Sequence, residues 1–203
     1  ILKHALIKNK RLYIWLNNNY TKVINLQTKF ISKAIIESIK VKAFFVRRDE
    51  KEKLLGSSSR AMLNFGHTFG HALETMGNYD NKLTHGEAIA IGMSFAAKIS
   101  NKKHLITDKE YYDIIQHLQK VKLPYFDKKI KSNKLYNIML ADKKNTDNKI
   151  NLILLKRIGC AYFERGLDRE AIKKYGSVDS GKSLPFAELP KTLKKKKDKK
   201  EEK

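Results

Sequence analysis

The chain reads as a mainly α protein that ends in a short strand pair near its C-terminus. Three observations carry this expectation. From residue 1 to Ala141, apolar residues recur at three- and four-residue steps, the period of helices with one buried face. One short apolar run, Ile150–Leu155, is of strand type and lies between Asp147-Asn148 and Gly159. Asn, Gly and Pro clusters punctuate the intervals between the runs.

Residues 1–19 carry Leu2, Ala5, Leu6, Tyr13, Trp15 and Leu16, which predicts one or two short helices stopped by Asn17-Asn18-Asn19. Asn25–Lys42 follows as an amphipathic helix with Ile31, Ala34, Ile35 and Ile39 as its apolar stripe, and Ala43–Arg48 is able to extend it. Asp49–Ser59 is charged and then rich in Gly and Ser, as loops are, and Ser57, Ser58 or Ser59 is placed to cap the next helix. That helix has Met62, Phe65, Phe69, Leu73 and Met76 as its apolar row and a stop at Gly77-Asn78-Tyr79-Asp80-Asn81. His85–Asn101 is a further helix, whose small residues Ala88, Ala90, Gly92, Ala96 and Ala97 allow close packing. Thr107-Asp108 caps a helix running to about Lys122 and closed by Pro124, and Ser132–Ala141 forms another. Residues 1–175 are expected to make one domain, and 176–203 a low-complexity basic tail without stable structure.

Composition narrows the function classes. A hydrophobic fraction of 41% suits a globular core, and no apolar run approaches the ~18 residues of a membrane span. The single cysteine, Cys160, excludes an internal disulfide and reads as a small buried residue in a reducing compartment, so a cytoplasmic location is expected. The net charge of +22 would suit a nucleic-acid binder. However, the charge is mostly lysine, scattered over nearly every segment, with no arginine cluster of the kind that reads bases. A solvated lysine-rich surface, with room for an anionic substrate, is the preferred interpretation.

The chemistry concentrates in Asn64-Phe65-Gly66-His67-Thr68-Phe69-Gly70-His71-Ala72-Leu73-Glu74 and His85-Gly86-Glu87. Asn64, His67, His71 and Glu74 follow helical steps, so one helix face is expected to show an amide, two imidazoles and a carboxylate. Such a row is costly to bury unless each group finds a partner or a metal. Histidines on two helices joined by a loop can converge on one cation. On spacing alone these are as well explained as satisfied polar residues. Gly66 and Gly70 tip the balance, because each glycine in a helix costs about 0.5–1 kcal/mol against alanine. They make sense where a neighbouring backbone or a ligand comes close.

Arg60-x3-Asn64-Phe65-Gly66-His67-Thr68-Phe69-Gly70-His71-Ala72, followed by His85-Gly86-Glu87-Ala88-Ile89-Ala90-Ile91-Gly92-Met93, closely resembles 3-dehydroquinate synthases. Weaker matches fall in the same order. Ile1-Leu2-Lys3-His4-Ala5-Leu6-Ile7 resembles the end of the family's Ala-Glu-Val-Ile-Lys-x-Gly segment. Lys42-Ala43-x2-Val46-x2-Asp49-Glu50 resembles its Lys-Ala-x-Val-Val-x-x-Asp-Glu stretch. Asp142-Lys143-Lys144, with the apolar run and Ile158-Gly159, resembles its C-terminal signature.

The resemblance implies the helical C-terminal domain of the dehydroquinate synthase-like fold, without the N-terminal α/β domain that binds NAD. The activity it implies is conversion of 3-deoxy-arabino-heptulosonate 7-phosphate to 3-dehydroquinate and phosphate, in the shikimate route to aromatic amino acids. NAD and a divalent metal, zinc or cobalt, are the implied cofactors, and a homodimer is the implied state of the full-length enzyme. On the family's pattern the metal ligands map to His67 and His85, with the glutamate ligand falling just before Ile1. His71 maps to a substrate-contacting, proton-handling histidine. Lys3, Lys42, Arg60 and Asn64 map to residues that grip the substrate's carboxylate, hydroxyls and phosphate, with Lys143 or Lys144 completing the set; Lys3 and Asn64 join His71 as catalytic candidates.

Two departures stand out. The loop from Asp49-Glu50 to Arg60 is a few residues longer than the family's Asp-Glu-x-Glu-x-Gly-x-Arg, and nothing beyond about Tyr175 resembles it. The competing expectations are a sister sugar-phosphate cyclase making an inosose or a valiolone, and a non-catalytic basic protein that binds nucleic acid. The chain by itself is expected to be inactive.

Overall fold

The computed structural model describes residues 1–54, 56–76, 83–126, 132–140, 149–168, 170 and 172. Among them run seven α-helices: α1 (Leu2–Lys8), α2 (Lys10–Ile24), α3 (Thr28–Arg48), α4 (His67–Met76), α5 (His85–Lys102), α6 (Asp108–Lys120) and α7 (Ser132–Leu140). A short 3₁₀ helix (Arg60–Asn64) precedes α4, and the strands β1 (Ile150–Arg157) and β2 (Cys160–Leu167) follow α7. The strands form an antiparallel hairpin in which Leu154 faces Tyr162 and Leu155 faces Ala161. A mainly helical fold with a terminal strand pair is therefore what the sequence builds. The expected basic tail, 176–203, and the stop at Gly77–Asn81 lie outside the described residues.

The central element is α5, which is buried along nearly its whole length from Ala88 to Ser100. A helix apolar all round is stable only when covered on every side. Here α4, α6 and the hairpin cover it. The hairpin is fastened by Ser100, whose Oγ donates to the Ala96 carbonyl at 2.7 Å and accepts from the Leu155 N–H at 2.9 Å. At the hairpin turn, Gly159 adopts φ +85° and its N–H donates to the Leu6 carbonyl at 2.7 Å. A Cβ there would meet the Lys10 nitrogen at 2.7 Å, so the turn seats on the α1–α2 junction and fixes α1. Thr84 and Thr107 start α5 and α6 with reciprocal capping boxes to Glu87 and Glu110.

Several local expectations change. Asn17-Asn18-Asn19 does not stop a helix but lies within α2, where Asn17 and Asn19 donate to the carbonyls of Tyr13 and Trp15 one turn back. The helix continues because those side chains find acceptors on their own helix. The stripe of α3 is rotated: Ala34, Ser38, Val41 and Phe45 are buried, whereas Ile35, Ile36 and Ile39 are exposed, Ile39 at 59%. The α1–α2 side of the fold takes the small residues Ala34 and Ser38, which admit closer packing than isoleucine. Cys160 is half-buried at the start of β2 rather than in the core.

The motif helix is also broken. Residues Arg60–Asn64 are 3₁₀, capped by the Ser59 hydroxyl, which accepts from the Ala61 N–H at 3.1 Å. Gly66 then takes φ +80°, which only glycine adopts cheaply, and α4 begins at His67. Asn64 therefore does not share a helix face with His67 and His71.

Candidate active site

Close backbone contact sets the register of the two histidine-bearing helices. A Cβ on Gly66 would meet the Met93 nitrogen at 2.8 Å, and one on Gly70 would meet the Ile89 Cδ1 at 2.5 Å. On α5, a Cβ on Gly92 would meet the Gly66 carbonyl oxygen at 2.0 Å. The three glycines thus let α4 and α5 touch main chain to main chain, which accounts for the glycine spacing noted in the sequence.

With that register, His67 and His71 on α4 and His85 at the first position of α5 face one another. Their ring centroids are 5.4 Å (67–71), 5.8 Å (67–85) and 6.0 Å (71–85) apart. Glu74, one turn beyond His71, joins them through its Oε1, 2.8 Å from His85 Nδ1. His71, Glu74 and His85 each offer a ligand atom within 4.8 Å of the other two. From α1, Lys3 reaches in with its Nζ 3.3 Å from His67 Nε2.

The partners assign the state of His67. Its Nδ1 lies 3.3 Å from the Phe65 carbonyl oxygen, so Nδ1 carries the hydrogen and Nε2 the lone pair that accepts from Lys3. Burial and the adjacent Lys3 charge lower its pKa to about 4, and the ring is neutral at physiological pH. Lys3 is itself lowered to about 8, first by burial and then by the charge of Lys42 on α3. The corner of the site thus holds Lys3, which feels the charge of Lys42, beside a neutral imidazole nitrogen, an arrangement that an anion relieves and a soft-to-borderline cation can use. Imidazole lone pairs with a carboxylate alongside are the donor types that zinc and its neighbours favour, so these residues fit a divalent metal.

The remaining candidates lie further along the chain. Arg60 opens the 3₁₀ helix, and its guanidinium donates to the Glu50 carbonyl at 3.1 Å and pairs with Glu52 at 3.0 Å. Behind it, Asp49 is buried and accepts from the N–H groups of Lys53, Leu54 and Arg60 at 2.7–3.1 Å. Burial pushes its carboxyl up, but those bonds and the Ser59 hydroxyl outweigh it and hold it below the usual carboxylate range. Asn64 is half-buried at the end of the 3₁₀ helix. Lys143 and Lys144 lie outside the described residues. The sequence shows Glu74 only as the carboxylate of the motif face, not as a partner of His85, and does not single out Glu52. Glu74 is visible there as the i+3 neighbour of His71, and Glu52 falls on the second glutamate of the family's Asp-Glu-x-Glu pattern.

The chain is similar to known proteins over most of its length. Residues 1–145 match the family model described as 3-dehydroquinate synthase C-terminal. The 3-dehydroquinate synthase of Pelagibacter ubique (strain HTCC1062) is 41% identical over 179 residues, covering 86% of this chain and 48% of that protein. Those of Bacillus cytotoxicus and Coxiella burnetii (strain Dugway 5J108-111) are 39% and 34% identical, over 78% and 86% of this chain and 42% and 48% of theirs. Among solved structures, the 2-epi-5-epi-valiolone synthase ValA of Streptomyces hygroscopicus subsp. jinggangensis 5008, with NAD+ and Zn2+ bound, superimposes with a TM-score of 0.75 at 20% identity, over 86% of this chain and 47% of that one. A 2-deoxy-scyllo-inosose synthase follows at 0.55 and 25%, over 72% and 40%.

The chain shares the fold class of part of these synthases. Within that class, the chain belongs to the 3-dehydroquinate synthase family, in its C-terminal part. It spans about half the length of the curated relatives it matches.

Proposed function

We propose that this chain is the metal- and substrate-binding half of a 3-dehydroquinate synthase, which converts 3-deoxy-arabino-heptulosonate 7-phosphate to 3-dehydroquinate and phosphate with NAD and a divalent metal, zinc or cobalt. The observation that carries this is the meeting of His67, His71 and His85 beside Lys3, on two helices locked together by glycine contacts. The relatives at 34–41% identity support it over an inosose or valiolone synthase, since the solved enzymes of those names are only 20–26% identical.

His67 and His85 would hold the metal, which when bound supplies Lewis-acid polarisation of substrate oxygens. Lys3 and Lys42, whose charges repel across a partly dry corner, attract the substrate's anionic groups. Arg60 offers a planar fork to a carboxylate once it exchanges Glu52 for substrate, and Asn64 offers an amide to hydroxyls. His71 is exposed and one turn from His67, placed to take or return a proton at its ring nitrogen without being a ligand. Lys143 or Lys144 completes the anion grip. The sheet among the described residues is an antiparallel pair, not the strand–turn–helix unit that cradles a pyrophosphate, so no step through NAD is assigned to these residues. The proposal extends to a homodimer of the full-length enzyme in the cytoplasm. No described helix is long and apolar enough to cross a membrane.

The test is phosphate release from the heptulosonate phosphate, with NAD and zinc, by the full-length enzyme and by the 203-residue chain alone. Turnover is expected from the first and none from the second. A full-length enzyme that prefers a hexose phosphate would overturn the assignment in favour of a sister cyclase.

A further inference from the structure

We propose that Glu74 is a positioning residue, which holds His85 in the Nδ1–H tautomer so that its Nε2 lone pair is left for a metal. This rests on the proposal that His85 is a ligand, and it assigns Glu74 a role beside the ligands rather than among them. The geometry is direct. Glu74 Oε1 lies 2.8 Å from His85 Nδ1, the distance of a hydrogen bond from the ring N–H to a carboxylate.

Three further features favour positioning. First, His67 shows the same lock by other means: its Nδ1–H faces the Phe65 carbonyl, which frees Nε2. Both proposed ligands are therefore tied at the same ring nitrogen, one to a neutral carbonyl and one to a carboxylate. Second, Glu74 lies on α4 at the i+7 position from His67, so the helix that supplies one ligand also holds the other helix's ligand in place. The glycine contacts between α4 and α5 keep that reach constant. Third, His85 opens α5 directly after the Thr84 cap, and its backbone is fixed by the Thr84–Glu87 box. Only the ring's rotation and tautomer are left to be set, and Glu74 sets both. An anionic partner on the far nitrogen also makes the imidazole a stronger donor.

The test uses the full-length enzyme with ¹⁵N-labelled histidine, first free of metal and then titrated with zinc, as wild type, Glu74→Ala and Glu74→Gln. Wild type should show His85 protonated at Nδ1. Glu74→Ala should mix the tautomers and weaken zinc binding by about 10–100-fold. Glu74→Gln keeps a carbonyl acceptor without the charge, and should restore the tautomer and part of the affinity. A wild-type tautomer and wild-type zinc affinity in Glu74→Ala would overturn the proposal. So would complete loss of zinc in both variants, which would make Glu74 a ligand. Because the tautomer is read without metal, failure of His85 to bind zinc would count against the ligand assignment separately.

Discussion

A Cβ on Gly92 would stand 2.0 Å from the carbonyl oxygen of Gly66, closer than any real contact, so the two helices bearing the histidines are held apart by nothing but main chain. Gly92→Ala must push α4 away from α5, and both neighbours are backbone. The expected cost exceeds the ~1–3 kcal/mol usual for overpacking, read as a fall in the urea midpoint. Gly70→Ala is the contrast. Its nearest neighbour is the movable end of Ile89, the Ala88 backbone stands further off at 3.3 Å, and alanine regains up to about 1 kcal/mol of helix propensity, so the cost should be clearly smaller than for Gly92→Ala. Equal destabilisation by the two variants would contradict this account of the helix contact.

His67 and His71 share a helix face, and the proposed function gives them different roles. In the full-length enzyme, His67→Ala should abolish stoichiometric zinc while the helices stay folded by circular dichroism. His71→Ala should keep zinc and lose turnover by about 10²–10⁴-fold. Parallel loss of metal and activity in His71→Ala would show that the two roles are exchanged.

Lys3 should titrate near 8 in the metal-free chain, because burial and the Lys42 charge both disfavour its ammonium form. Removing the second cause with Lys42→Met should raise the midpoint while leaving it below that of an ordinary lysine, since burial persists. A Lys3 midpoint unchanged by that substitution, followed by ¹³C shifts of labelled lysine, would show that the two side chains do not interact.

His117 lies buried on α6, its Nδ1–H donating to Asn17 Oδ1 at 2.9 Å, and burial followed by the Lys120 charge lowers its pKa to about 4. The folded value is below the unfolded ~6.5, so the unfolded chain binds more protons between these limits. The stability this residue contributes is present above pH 6.5 and is lost as pH falls toward 4, by an amount on the order of 3 kcal/mol. His117→Gln should flatten that part of the pH profile of thermal unfolding. A profile as steep in the variant as in wild type would place the acid sensitivity elsewhere.

The helices were legible in the sequence because each buries a periodic apolar face, and the strand pair because Ile150–Leu155 is a short apolar run bounded by turn residues. The orientation of α3 was not, since Ile35 and Ile39 lose to Ala34 and Ser38 where close approach outweighs apolar area. The break at Gly66 was also hidden. A glycine at φ +80° and one inside a helix look the same in sequence, and the apolar spacing of Met62, Phe65 and Phe69 persists across it. Of the site, the histidines and Lys3 could be named from their motif. The pairings of Glu74 with His85 and Glu52 with Arg60 depend on the helix register and the loop path, which no local pattern encodes.

The buried carboxylate of Asp49 has a consequence for how this lineage tolerates change. It grips the chain at Lys53 and Leu54 and again at Arg60, so whatever lies between those grips is a closed side loop with both ends pinned. Residues gained or lost there alter the size of the loop without sliding Arg60 along the 3₁₀ helix. The longer loop of this chain is in that sense a silent insertion: one acidic side chain insulates Arg60 from length drift a few residues upstream.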